Sequence, residues 1–255
     1  MTNITLTTPN NQLDISLYGG HILRWQHQGQ EILWLSELAE TNSPTGAIRG
    51  GIPICFPWFA EQNQPKHGFA RTSQWQCIQK SAQCAQLHLK DCTKTRALWP
   101  YQFSLLLNVE LTERQLSLTL TVTNTDAQPW SFTGALHSYF QCEDVRQLHF
   151  DELSQRRFYN SLKQGAEQRF HDGPLPHPID AIIPNLNQLT LLNRHICHQG
   201  SDSMVIWNPG KQHPNDVAPE AWPHFICIES AIVHHPVHLA PNAKHQLTQT
   251  IKILQ

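Results

Sequence analysis

Strict alternation of apolar and polar residues is the clearest pattern along this chain. From Phe103 to Leu111 every odd-numbered position is apolar, and from Leu116 to Val122 every even-numbered position is apolar. Because side chains on a β-strand point alternately to opposite faces, each run predicts a strand with one apolar face. The short polar link between the runs, residues 113–115, predicts that the two strands form an antiparallel hairpin.

The same period of two residues returns more weakly in three shorter segments, which are 13–17, 87–89 and 247–253. In the last of these, Gln249 interrupts an otherwise apolar face. The best helical signal, residues 35–40, would make barely one and a half turns. Without long amphipathic helices between strands, a parallel α/β sheet is disfavoured. The pattern therefore predicts an all-β protein, a large antiparallel β-sandwich with little helix.

A Pro-, Asn- and Asp-bearing stretch, residues 211–223, separates two apolar runs at 204–207 and 225–228. Such residues favour loops, so we expect one long loop between two neighbouring strands. The chain shows no internal repeat, low-complexity tract or linker. Although 255 residues could form two domains, sandwiches of this size are common, and we expect one domain over residues 1–255.

Composition excludes several classes of protein. The 18 Lys and Arg residues against 20 Asp and Glu give a net charge of −2, which argues against a nucleic-acid partner. No apolar run approaches the roughly 20 residues that span a bilayer, and Met1–Leu6 lacks the pattern of a signal peptide. The seven Cys are odd in number and form no C-x-x-C pair. We therefore expect reduced thiols in a cytoplasmic protein without a membrane partner.

The 16 His residues raise the question of a metal site. They are densest at His195–His198 and His234–His238, but neither cluster has the spacing of a common zinc site. We interpret both clusters as surface or loop histidines and expect no metal. The chain also lacks the G-x-G-x-x-G, Walker, G-x-S-x-G and H-E-x-x-H motifs. We accordingly expect no nucleotide cofactor or other cofactor.

Three cationic residues lie near an unusual Gly-, Pro- and aromatic-rich segment at 49–59. Arg49 begins this segment, and Lys66 and Arg71 follow it closely. If the intervening loop folds back, the three cations would cluster. The planar fork of arginine suits phosphate, since it donates two parallel hydrogen bonds. Composition alone allows equally a structural Gly-Pro loop with solvated charges.

Two further residues have the chemistry of an acid–base pair. Glu229 ends a nearly continuous apolar run, and burying a carboxylate there is costly without a partner or a task. Burial would also raise its pKa towards the range of a general base. His137 lies in a second apolar segment, at 134–140. The simpler alternatives are a solvent-facing Glu229 at a strand end and a hydrogen-bonded core histidine at 137.

Five motifs in this order resemble the glucose-6-phosphate 1-epimerase family, within the aldose 1-epimerase superfamily. They are Arg49–Phe59 (RGGIPICFPWF), His67–Arg71 (HGFAR), Leu136–Phe140 (LHSYF), Trp207–Pro209 (WNP) and Ile226–Glu229 (ICIE). The similarity runs from about Leu13 to the C-terminus, and the first two motifs distinguish this branch from the galactose mutarotases. The family fold is a large antiparallel β-sandwich, which agrees with the alternation described above.

The resemblance implies a role for each matching residue. His137 and Glu229 match the catalytic histidine and glutamate. Arg49, Lys66 and Arg71 match positions that contact the substrate or its phosphate. His67, Asp180 and Asp216 match positions that line the sugar. The family often continues after the aspartate with Arg-x-Tyr, whereas Ala181-Ile182-Ile183 follows Asp180 here, and the loop around Asp216 is variable.

The implied reaction is the interconversion of the α and β anomers of a hexose 6-phosphate by opening and closing of the sugar ring. We hypothesise that Glu229 is the base and His137 the acid, and we expect a monomer whose partner is this small molecule. The alternatives are an aldose 1-epimerase acting on unphosphorylated sugars, a non-catalytic sugar-binding or sensing protein, and a metal-dependent isomerase.

Overall fold

The computed structural model describes residues 3–41 and 45–254. Residues 1–2, 42–44 and 255 lie outside this description. Residues 1–2 belong to the N-terminal segment that was compared with a signal peptide. In this part of the chain, 19 strands account for most of the regular structure. The strands are β1 (Asn3–Thr8), β2 (Asn11–Ser16), β3 (His21–His27), β4 (Gln30–Glu31), β5 (Ile54–Cys55), β6 (Gln76–Lys80), β7 (Cys84–Lys90), β8 (Phe103–Leu111), β9 (Gln115–Asn124), β10 (Trp130–Leu136), β11 (Tyr139–Gln141), β12 (Arg157–Asn160), β13 (Ala166–Arg169), β14 (Ile179–Pro184), β15 (Gln188–Leu191), β16 (Arg194–Gln199), β17 (Ser203–Asn208), β18 (Phe225–Leu239) and β19 (Lys244–Ile253).

Helical structure is sparse in the described residues. The α-helix α1 spans Thr93–Leu98, and five 3₁₀ turns complete the list at Ala70–Thr72, Val145–Gln147, Asp151–Leu153, Ser161–Lys163 and Trp222–His224. Six residues are too few to show an amphipathic period, which is why the sequence did not predict α1. Within the described ranges, no helix is long and apolar enough to cross a membrane.

The strands form three antiparallel sheets. Four strands are ordered β1-β2-β3-β4, and seven are ordered β15-β16-β19-β9-β8-β7-β6. The eight-stranded sheet is ordered β13-β12-β14-β17-β18-β10-β5, with β11 also paired to β18. One hydrophobic core contains residues from all three sheets, including Leu6, Leu118 and Ile228. The predicted antiparallel sandwich is confirmed.

The strongest sequence patterns correspond to strands at the predicted positions. β8 and β9 pair in the register Leu111↔Leu116, so the predicted hairpin is confirmed. Their alternating apolar residues are buried, as the period of two requires. β17 and β18 also pair, with Ile206 opposite Ile228, across the loop predicted at 211–223.

The weak helical signal at residues 35–40 does not correspond to a helix in the structure. The backbone of this segment pairs with residues 49 and 50 instead. Leu35 forms an antiparallel bridge with Gly50, and the amide of Ser36 donates to the carbonyl of Arg49 over 3.1 Å. The hydroxyl of Ser36 donates to the carbonyl of Asp216 over 2.6 Å. Hydrogen bonds to residues 49 and 216 therefore hold this segment in a non-helical conformation.

The interpretation of the two histidine clusters as surface or loop residues is correct for His234, His235 and His238, which are exposed, but wrong for His198. His195 and His198 lie on β16, and His234, His235 and His238 lie on β18. The inward-facing side of β16 carries His198, which is 3% exposed. Within residues 3–41 and 45–254, no group of three or more His, Cys, Asp or Glu residues is arranged to hold a metal ion.

Candidate active site

A cavity of about 550 Å³ opens at the eight-stranded sheet and brings together most of the predicted site residues. The predicted residues that line it are Arg49, Lys66, His67, Arg71, His137, Asp180 and Glu229. They come from segments as far apart as residues 49 and 229, so the tertiary fold assembles the site. The cations therefore converge on the same cavity as the candidate acid–base pair.

The candidate acid–base pair lies in the wall of this cavity. His137 Nε2 is 3.4 Å from Glu229 Oε1, and the two residues are 6% and 1% exposed. Burial lowers the pKa of His137 well below its ordinary value, and the nearby His67, Arg49 and Arg71 lower it further. Burial raises the pKa of Glu229 well above its ordinary value, with a further contribution from Asp180. Both pKa shifts favour the uncharged side chains. Glu229 is then protonated, and the imidazole of His137 is neutral.

Each member of the pair also has a buried polar atom without a partner. Nδ1 of His137 and Oε2 of Glu229 have no hydrogen-bond partner among the residues that the structure describes. Buried polar atoms in proteins are nearly always hydrogen-bonded, and exceptions point to an unfilled role. Because both residues line the cavity, these atoms are candidates for hydrogen bonds to a ligand.

Tyr139 contacts both the imidazole of His137 and the guanidinium of Arg49. It lies in one of the family motifs, but the sequence predicted no role for it. Its ring stacks on His137 with centroids 4.9 Å apart and an interplanar angle of 10°. Its hydroxyl accepts a hydrogen bond of 2.8 Å from Nη1 of Arg49. The residue was identifiable only as the aromatic neighbour two positions after His137, and nothing local predicted its link to Arg49.

Asp216 lies behind Arg49 and does not line the cavity of the acid–base pair. Its Oδ1 is 3.0 Å from Nε of Arg49, and the two residues line a separate depression of about 190 Å³. Burial works to lower the pKa of Arg49, but Tyr139 and Asp216 outweigh it and raise that pKa. The position of Asp216 thus makes it the counterion of Arg49.

His67 faces the cavity as a neutral hydrogen-bond donor. Its Nδ1 accepts the backbone N–H of Ala60 over 3.1 Å, which leaves the ring proton on Nε2. Burial lowers the pKa of His67 to about 3, and Arg71, Lys66 and Arg49 add to this effect. The ring therefore stays uncharged at neutral pH.

The loop that carries His67 depends on a close backbone approach at Gly68. The residue has a φ of +73°, and a Cβ there would lie 2.0 Å from the carbonyl oxygen of Phe56. Only glycine tolerates both conditions without strain. The loop folds back so that Nη2 of Arg71 donates to the carbonyl of Lys66 over 2.5 Å. This closure brings Lys66 and Arg71 to the same cavity as Arg49.

Apolar side chains complete the cavity, and the sequence analysis did not identify them as site residues. They are Phe59, Ile182, Val205, Trp207 and Val233. Trp207 is paired with Asp180 across β17 and β14, and its ring meets that of His137 edge-on at 6.2 Å. An apolar wall beside polar groups suits a sugar, whose ring has both apolar and hydroxyl-bearing surfaces.

Comparison with known proteins identifies the class to which this site belongs. The sequence profile described as aldose 1-epimerase matches residues 2–180. A protein of Cenchrus ciliaris named "putative glucose-6-phosphate 1-epimerase" is 31% identical over 89% of this chain and 77% of its own length. A protein of the same name from Escherichia coli is 27% identical over 98% of this chain and 90% of its own length.

A solved structure agrees with these matches. The crystal structure of a "putative mutarotase" from Salmonella typhimurium superposes with a TM-score of 0.85 and 27% identity, covering 99% of this chain and 90% of that one. The chain belongs to the aldose 1-epimerase family. It is an isomerase that interconverts the anomers of a hexose, and the resemblance found in the sequence is confirmed.

Proposed function

We propose that the substrate is a hexose 6-phosphate, most specifically glucose 6-phosphate. The observation that carries this proposal is the convergence of Arg49, Lys66 and Arg71 on the cavity that holds His137 and Glu229. Three cations exceed what a neutral sugar needs, whereas a phosphate dianion is recognised through such groups. The names of the relatives from Cenchrus ciliaris and Escherichia coli support the same substrate.

The three cations differ in how many of their hydrogen bonds and ion pairs are already made within the protein, and therefore in their capacity to bind a phosphate. Arg49 is already held by Tyr139 and Asp216, and Lys66 lies 3.1 Å from the exposed Glu61. Arg71 forms no ion pair with a described residue, and its Nη2 donates to the backbone carbonyl of Lys66. Its charge is therefore the least neutralised of the three, and we assign it the main contact to the phosphate. His67 and Asp180 are assigned to the sugar hydroxyls.

The proposed reaction needs one side chain that acts as a base and one that acts as an acid. The free pair carries one proton that the two side chains can exchange. The base removes the proton from the anomeric hydroxyl, the electron pair left on O1 forms the second bond of the C1=O1 carbonyl, and the C1–O5 bond breaks with its electron pair moving to O5. The acid protonates O5 as that bond breaks. Rotation about C1–C2 then exposes the other carbonyl face, and the reverse transfers close the ring. Such positioned proton transfers contribute about 10²–10⁴ in rate.

We propose Glu229 as the base and His137 as the acid. In the cavity without substrate, burial favours the shared proton on Glu229, so this assignment requires the proton to move to His137 when substrate binds. A sugar hydroxyl donating to the unpartnered Oε2 of Glu229 stabilises the carboxylate, and a nearby phosphate dianion stabilises the imidazolium. Because ring closure reverses both transfers, each residue serves in both roles during a turnover.

We further propose that the protein works in the cytoplasm on the free sugar phosphate as a monomer. All seven cysteines are free thiols. This supports a reducing compartment.

One assay tests the substrate assignment. The rate of α-to-β exchange is measured for glucose, galactose, glucose 6-phosphate, galactose 6-phosphate and mannose 6-phosphate. We expect a kcat/KM for glucose 6-phosphate at least about tenfold above that for glucose, since one charged hydrogen bond contributes that much. Equal values for the phosphorylated and free sugars would favour the alternative, an epimerase of unphosphorylated aldoses. Binding without acceleration would favour a sensing protein.

A further inference from the structure

A buried polar residue interrupts the apolar core directly behind the acid–base pair. Gln249 lies on β19 between Leu247 and Ile251, at the position where the apolar alternation fails, and it is fully shielded from solvent. Its cross-strand neighbour on β16 is the buried His198. A polar pair at the centre of a sandwich costs free energy unless its hydrogen bonds are made, so its contacts indicate what it does.

The amide of Gln249 bonds to the facing sheet at two points. Its Nε2 donates to the carbonyl oxygen of Ile228 over 3.2 Å, and its Oε1 accepts a hydrogen bond from the hydroxyl of Ser138. Nε2 of Gln249 also donates to Nε2 of His198 over 3.2 Å. Because that imidazole nitrogen accepts, the proton of the neutral ring lies on Nδ1. The carbonyl of Ile228, which can only accept, fixes the NH₂ end of the amide at this position.

The two residues that Gln249 contacts on the facing sheet are the immediate chain neighbours of the proposed acid–base pair. Ser138 follows His137, and Ile228 precedes Glu229. Gln249 therefore bonds to both segments that carry the pair, from a strand of the other sheet. It is a candidate for setting the distance between His137 and Glu229.

Backbone hydrogen bonds of His137 to Pro53 and of Tyr139 to Gly51 anchor one segment, but its pairing with β18 is interrupted. Pairing between β10 and β18 reaches Leu136↔Ser230, and pairing between β11 and β18 begins at Tyr139↔Cys227. Between these pairs the backbone N–H of Ile228 donates to the carbonyl of Ser138 over 3.0 Å. In a regular antiparallel pair two residues exchange both hydrogen bonds. Here the carbonyl of Ile228 accepts from Gln249.

We propose that Gln249 is a positioning residue that holds the segments of His137 and Glu229 in the register needed for proton transfer. This inference rests on the proposed function of the acid–base pair. Gln249 does not line the cavity and touches no substrate. Its loss misplaces the pair, and a misplacement of about 1 Å can cost about 100-fold in rate.

The test is Gln249→Met, which keeps the approximate volume of the side chain but makes neither hydrogen bond. We expect kcat for glucose 6-phosphate to fall about 10- to 100-fold, with KM changed less than about threefold. The matched control is Ile251→Ala, on the same face of β19 and without a bond to either segment. It should lower the melting temperature but leave kcat within about twofold. Equal loss of kcat in both variants, or none in Gln249→Met, overturns the proposal.

A structural readout separates this proposal from the proposed function. In crystals of Gln249→Met we expect the separation of His137 Nε2 and Glu229 Oε1 to depart from 3.4 Å, and an unchanged separation overturns the proposal even if the wild type were inactive on every sugar. Inactivity of the wild type would overturn the proposed function alone. If Gln249→Met does not fold, Ser138→Ala removes one of the two bonds and should lower kcat about 3- to 10-fold.

Discussion

Nε2 of His137 lies 3.4 Å from Oε1 of Glu229, and solvent reaches almost nothing of either side chain. Their contact occurs where the pairing of β10 and β11 with β18 changes from one strand to the other. A carboxylic acid and a neutral imidazole at this distance can share one proton at neutral pH. The testable properties of the site follow from this relationship.

We expect Glu229→Gln and His137→Asn each to lower kcat for anomer exchange by about 10²–10⁴. Each substitution removes one proton carrier and retains a polar side chain of similar size. The measurement is the exchange rate on glucose 6-phosphate, with circular dichroism to show that each variant is folded. Near-wild-type turnover in a folded variant would exclude that residue from the acid–base role.

The buried Glu229 should also contribute a term to the free energy of unfolding that falls as pH rises. In the unfolded chain a glutamate ionises above about pH 4.3, whereas the raised pKa of Glu229 keeps its proton in the folded protein. At this group the folded state then binds more protons than the unfolded state, so the contribution of Glu229 to stability falls with increasing pH. The loss is about 1.4 kcal/mol per pH unit until Glu229 itself ionises.

Glu229→Gln removes this dependence, since glutamine does not titrate. We expect the variant to gain stability relative to the wild type between about pH 5 and pH 8, while its activity is lost. Urea unfolding at several pH values in that range measures the difference. A constant difference between the two proteins across the range would show that Glu229 is ionised in the folded state.

Arg71→Ala should raise KM for glucose 6-phosphate about 10- to 100-fold and change KM for glucose little, because a charged hydrogen bond to the phosphate is lost. Arg71→Lys keeps the positive charge but loses the planar guanidinium. Its KM for glucose 6-phosphate should lie between the values of the wild type and Arg71→Ala. Arg114→Ala, in the turn between β8 and β9, makes the same change of charge away from the cavity. Parallel increases of KM for both sugars in Arg71→Ala would assign it to the sugar ring instead.

Gly68→Ala should destabilise the protein by about 2–4 kcal/mol and lower activity by displacing His67. The added Cβ would meet the carbonyl oxygen of Phe56, and the φ of +73° is unfavourable for alanine. Gly29→Ala is the control, since Gly29 has a φ of +78° but no atom within 4 Å of the added Cβ. It should cost only the conformational strain, about 1–2 kcal/mol. Thermal unfolding compares the two, and similar losses would show that the loop at Gly68 relaxes.

Asp180 illustrates how far the sequence specified the site. The residues after it depart from the family pattern, yet β14 places it in the cavity opposite Trp207 in register. The strand period alone gives this result, because Ile179, Ala181 and Ile183 face the core and Asp180 and Ile182 face the other way. Asp216 lies in a loop without such a period, and only the fold shows that it meets Arg49.

The sequence by itself determined the strands with a clean period of two, the antiparallel class of the fold and the residue types of the site. These depend on local geometry, because burying one face of a strand fixes which side chains point inward. The tertiary structure decided what is close in space but distant in the chain: the contact of His137 with Glu229, the hold of Tyr139 on Arg49, and the bonds of Gln249 behind the pair. It also decided the segment at 35–40, since hydrogen bonds to residues 49 and 216 outcompete a helix too short to be stable alone.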